Sequence, residues 1–260
     1  LQFKGRGIKK IDLRPQPFLY PAFELQRDQY ISDLKDLFER EIKKRFNRLK
    51  REITTLLVEE DALGHRLTTG IKIHNTVFAF ASNPEKLALF KIWLKERIEA
   101  GILEVDPDFE EAPWTAEFIS SAYKKGIVRA YTQTHSESLA ISPDYYEGTK
   151  AQFLLDAFSS PERVDTLKLL ATRSFDELKG ITESMSQQIS RELIDGMSRG
   201  DSPRKIASKM NKAISGITKK RALTLARTET VRAQSEGQLD GFDSLGIEEV
   251  GVYAEWLSAG

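Results

Sequence analysis

A mainly helical fold, α+β by virtue of its last segment, is predicted by three features of the sequence. Apolar residues recur at three- and four-residue steps over long stretches. Ser-Pro or Asn-Pro pairs and glycines stand where such stretches would start and stop. Only one segment, at the C-terminal end, alternates with a period of two. The expected organisation is an extended arm (residues 1–22), a long helix with a connecting segment (23–80), a helical subdomain with a polar loop (81–150) and a helical domain ending in a strand (151–260).

The arm is read from Pro15, Pro17 and Pro21, which lack amide donors and hold the backbone extended. Phe3, Phe18, Tyr20 and Phe23 would anchor it on a partner. Residues 26–60 read as one helix whose stripe runs from Tyr30 and Leu34 through Phe38, Ile42, Phe46, Leu49 and Ile53 to Leu56 and Leu57. Glu39/Lys43 and Glu41/Arg45 are supportive i,i+4 pairs within it. Such a helix is roughly 50 Å long at about 1.5 Å per residue, so a partner helix or a neighbouring subunit is expected to cover it.

After a stretch broken by Gly64 and Gly70, residues 71–80 ("IKIHNTVFAF") suit strand or loop. Ser82 or Asn83, followed by Pro84 at the first helical position, caps a helix carrying Leu87, Phe90, Leu94 and Ile98, which Gly101 is expected to stop. An acidic loop, Glu104 to Glu111, leads to a helix over 114–131 with Gly126 as an internal weakness. Residues 132–150 are polar and turn-rich, suited to a lid, linker or insertion. Two helices, 160–180 and 181–200, follow, the first entered through Ser160-Pro161 and the second closed by Gly200. Ser202-Pro203 opens a short basic helix, and Thr218 is expected to cap a last long one that Gly246 ends. Residues 248–256 ("EEVGVYAEW") alternate as a half-buried strand. A lone strand needs a partner, either residues 71–80 or residues beyond Gly260, which leads to the expectation that this chain is one piece of a longer structural protein.

The formal net charge is zero, but the charges are blocked. Residues 199–232 hold ten basic side chains against Asp201 and Glu229 alone. Residues 99–117 carry only acids, and the segment after Arg232 is acidic again. Lys205, Lys209, Lys212, Lys219, Lys220, Arg221, Arg227 and Arg232 are therefore the candidate contacts for DNA phosphates or a partner protein. Neither aromatic interleaving nor a helix-turn-helix or RNA-recognition signature accompanies them. There is no cysteine, and His65, His74 and His135 share no metal-ligand spacing, so no cofactor or metal is expected. Phosphate-loop and Gly-x-Ser-x-Gly nucleophile motifs do not occur. Arg227, Thr228 and Glu229 point about 100° apart on a helix and do not converge, so no catalytic constellation is expected. No run of 18 apolar residues suggests a membrane span.

One resemblance joins these pieces. Gly200-Asp201-Ser202-Pro203, then "ARTE" at Ala226 to Glu229, then Gly246 and a strand ending at Trp256 resemble the tailed-phage head morphogenesis family, minor head proteins of the Mu F-like type. The likeness covers about Asn83 to Gly260 and is strongest from Ser174 onward. It implies a structural minor capsid protein of a phage or prophage, present in several copies in the virion or at the portal vertex, and in the host cytoplasm during assembly. Its implied partners are the portal protein and capsid or scaffold. In that reading Arg221, Arg227, Glu229 and Arg232 orient the last helix and perform no chemistry. Family members carry paired cysteines after this strand; with none here, no metal or thiol role carries over. Two alternatives stand beside it: a DNA-contacting virion protein that assists packaging or ejection, and the non-catalytic front of a fused toxin or nuclease.

Overall fold

A computed structural model describes residues 20–64, 83–104, 112–136 and 148–246. Helices account for nearly all of them: α1 (Tyr20–Thr54), α2 (Asn83–Ile98), α3 (Thr115–Ser136), α4 (Lys150–Ser159), α5 (Pro161–Ser198), α6 (Pro203–Ile217) and α7 (Leu223–Ser244). Among the described residues none of these is long and apolar enough to cross a membrane. Residues 71–80 and 248–256, read as strands, lie outside the described residues.

Several boundaries differ from the expectation, each for a local reason. Helix α1 starts at Tyr20, so the last three residues of the expected arm are helical. Pro21 sits in the first turn, where a missing amide hydrogen costs nothing. Gly101 does not stop α2; a π-helical turn, Glu99–Leu103, continues it, and the chain leaves at Glu104 in the left-handed region (φ 46°). The two helices expected over 160–200 are one, because a single glycine, Gly180, weakens a helix without breaking it. Thr218 does not cap the start of the last helix: its hydroxyl donates to the Ile214 carbonyl, and the chain runs from α6 through a π-turn, Thr218–Ala222, into α7. The expected linker, 132–150, is helical at both ends: α3 runs on to Ser136, and α4 begins at Lys150 behind a capping box between Thr149 and Gln152. Other expectations hold: Gly200 (φ 66°) and Gly246 (φ 71°) end helices, and Ser202 accepts a hydrogen bond from the Lys205 amide ahead of Pro203.

The π-turn between α6 and α7 has a geometric purpose. Ile206, Met210, Ile214, Thr218, Ala222, Ala226 and Thr230 are all buried and all four residues apart. On an α-helix of 3.6 residues per turn each such step drifts by about 40°, so the line would wind off the buried face. The wider turn, in which the Leu223 amide reaches back five residues to the Thr218 carbonyl, takes back part of that drift.

Two compact units divide the chain. The first holds residues 1–35, 117–171 and 228–260. Its described centre is α3 against α7, where glycines let the backbones approach closely. A Cβ at Gly126 would overlap the Gln234 carbonyl oxygen, one at Gly237 the Tyr123 carbonyl oxygen, and one at Gly241 would stand 2.7 Å from the Ala130 Cβ. Gly126 is thus a packing requirement where the sequence suggested a weak point. Beside this seam the Tyr123 hydroxyl donates to Asp240, and Arg163 of α5 pairs with Asp240 at 2.7 Å and Asp243 at 2.6 Å. Burial and then the Asp240 carboxylate push the Tyr123 phenol well above its ordinary range. The Tyr131 ring packs on Phe153 of α4 with centroids 5.1 Å apart.

The second unit holds residues 36–116 and 172–227. Phe38, Ile42, Phe46, Leu49 and Ile53 of α1 are buried along the predicted stripe. With them the core takes Phe90, Leu94 and Ile98 of α2, Leu178, Ile181, Met185, Ile189 and Leu193 of α5, and Ile206, Met210 and Ile214 of α6. A buried side chain of this size contributes about 1.5–3 kcal/mol over its exposed state. At one end Arg45 forks onto Glu104 (2.8 and 3.0 Å) and lies 4.1 Å over the Trp114 ring. Trp114 in turn meets Phe38 edge-on and donates its indole N–H to the Ile102 carbonyl at 2.9 Å.

Candidate functional site

The second unit carries most of the basic block, and its α5–α6 connection explains how it is held. Helix α5 closes with the Asp201 amide donating back to the Gly196 carbonyl at 2.8 Å. That wrap buries the Asp201 side chain and aims it at the start of α6. Lys205 and Lys209 stand four and eight residues on, on the same helical face, and reach it at 2.6 and 2.8 Å; Arg199 adds a contact at 3.3 Å. Hydrogen bonds from Lys205 and Lys209, and then from Arg199, hold the carboxyl far below the usual carboxylate range against the opposing effect of burial. Gly196 completes the corner, since a Cβ there would stand 2.5 Å from Ile206.

A second tie joins α1 to the end of α7 that belongs to this unit. Arg227 donates to the buried Glu39, which also accepts from Lys43 at 3.1 Å. Burial alone would raise the Glu39 carboxyl; Arg227 and Lys43 outweigh it and hold it below its ordinary value.

The eight candidate cations are therefore held in different ways. Lys205 and Lys209 are drawn to Asp201 and Arg227 to Glu39, while Arg232 is an exposed residue of the first unit. Lys219 is exposed on the π-turn. Lys212, Lys220 and Arg221, together with Lys209, line an open cleft of about 580 Å³ against Gln188 and Glu192 of α5, with Ala213, Gly216 and Ile217 between them. Of the arm anchors, Phe3 and Phe18 lie outside the described residues; Tyr20 and Phe23 fall in the first turns of α1, their side chains outside the described part.

The sequence shows Asp201 and Glu39 but not that they organise the block. The part played by Asp201 was legible in principle, since its spacing to Lys205 and Lys209 is helical. That of Glu39 was not, because 188 residues separate it from Arg227. Nor does anything in the order of residues show that α5 supplies Gln188 and Glu192 to the cleft. Among the described residues no group of three His, Asp or Glu side chains is placed to hold a metal ion. Compared with family models, curated proteins and solved structures, the chain matches none.

Proposed function

We propose that this chain is a structural minor head protein of a tailed phage or prophage that acts in head assembly at the portal vertex without performing catalysis. The observation that carries the proposal is the use made of the motif residues. Asp201 of the Gly-Asp-Ser-Pro turn gathers three cations, and Arg227 of the Ala-Arg-Thr-Glu segment is bound to Glu39. Residues spent on holding helices together suit a scaffold that presents surfaces to other proteins. The reading has the chain in several copies, with the proline- and aromatic-rich residues 1–22 as its docking segment and portal, capsid or scaffold as its partners.

Co-purification with a portal oligomer, followed by mass determination at low and high salt, tests this directly. A complex of defined stoichiometry is expected, and removal of residues 1–22 should abolish it while far-UV circular dichroism stays helical. No complex with the intact chain, or full incorporation of the truncated one into heads, overturns the proposal.

A further inference from the structure

Arg199, Lys205, Lys209 and Arg227 of the basic block each have an acid partner; three cations that share a cleft make no such pair. Lys212, Lys220 and Arg221 are exposed, make no ion pair among the described residues and line the same cleft between α5 and the α6–α7 helix. Glu192 is the one acid on the cleft wall, so the three cations outnumber it, and a bound polyanion relieves their mutual repulsion. Two further features mark the cleft. Gly216, on its wall, would meet nothing within 4 Å if it carried a Cβ, so packing does not call for glycine there, and glycine weakens a helix interior. Its absent side chain leaves room for a close approach. The π-turn, a rare element often found at functional sites, sets Lys220 and Arg221 on the rim.

We propose that this cleft binds the phosphate backbone of double-stranded nucleic acid without reading its sequence. Chemistry selects that ligand over two others. No aromatic side chain lines the cleft, so it offers no platform on which the bases of a single strand could stack. Lys212, Lys220 and Arg221 against the single acid Glu192 leave the cleft net positive, which favours a polyanion over an uncharged or basic protein surface. The proposal does not rest on the head-assembly reading, and portal binding can fail while it stands.

Fluorescence anisotropy of the full chain with a labelled mixed-sequence DNA duplex, at roughly 50 and 200 mM salt, is the test. With about three phosphates neutralised, affinity should fall about 40-fold between the two salts. The triple change Lys212→Gln, Lys220→Gln and Arg221→Gln should remove most of that salt dependence and weaken binding at low salt more than tenfold. Lys91→Gln, an exposed cation on α2 away from the cleft, should change neither. Gly216→Glu should weaken binding, whereas Gly216→Ala should raise the melting temperature. All the altered side chains are exposed or in open space, so loss of fold does not cloud the result. Absence of salt-dependent binding, an equal loss with Lys91→Gln, or tighter binding of polyglutamate than of DNA would overturn the proposal.

Discussion

The two units solve the same problem, holding helices side by side, in opposite ways. In the first, α3 and α7 meet through glycines at 126, 237 and 241, so backbone lies against backbone and little side chain is interposed. In the second, phenylalanines at 38, 46 and 90 and a long series of aliphatic residues fill the space between helices. Polar ties differ to match. The first unit has a compact network of Tyr123, Asp240, Arg163 and Asp243, while the second has scattered ties at Asp201, Glu39 and Arg45. Close backbone approach leaves no slack for added volume, whereas a core of large side chains is most sensitive to lost volume.

That contrast can be broken most forcefully in the second unit. Phe46 is fully buried, so Phe46→Ala removes a large side chain and leaves a cavity. It should cost about 3–5 kcal/mol in urea unfolding, with amide exchange accelerating first among residues 36–64 and 172–227. The reciprocal change belongs to the first unit. Gly237→Ala, which adds a single methyl group against the Tyr123 carbonyl, should cost about 1–3 kcal/mol. The same substitution at Gly180, where a Cβ meets nothing within 4 Å, should instead add up to about 1 kcal/mol. Equal effects at the two glycines would remove the backbone-contact account of α3 and α7.

The smallest expected effect concerns pH. Asp201 and Glu39 both have carboxyls held below their ordinary values. Such groups bind protons more readily in the unfolded chain, so their contribution is complete above the unfolded value of about 4 and is lost as pH falls through the folded value. The pairing cations Lys205 and Arg227 are well exposed, so screening keeps the contribution modest. Asp201→Asn should lower the urea midpoint slightly at pH 7 and flatten the decline below about pH 4. Parallel acid limbs in the two proteins would show that the cations at Asp201 contribute nothing to folding.

Local order was legible wherever it depends on residues a few positions apart. The stripe from Phe38 to Leu57, the Ser202-Pro203 entry, and the Gly200 and Gly246 stops could all be read directly, because periodicity, capping and positive φ are properties of short segments. The errors came from treating glycine and threonine as punctuation. Gly101, Gly126 and Gly180 sit inside continuous helical segments, and Thr218 turns its hydroxyl back onto its own helix. Whether a glycine is a break, a packing contact or open space depends on what another helix brings to it.

The eight candidate cations show the same division. Composition and position alone determined that residues 199–232 are rich in positive charge, and that this chain is helical where its apolar residues step by three and four. The pairing of Lys205 and Lys209 with Asp201 follows from local spacing, but only the tertiary structure decided that an acid 188 residues away neutralises Arg227, while Lys212, Lys220 and Arg221 make no ion pair among the described residues. Periodicity acts through the chain's own bonds, but a charge answers to whatever lies within a few ångströms of it, and that neighbourhood is set by folding.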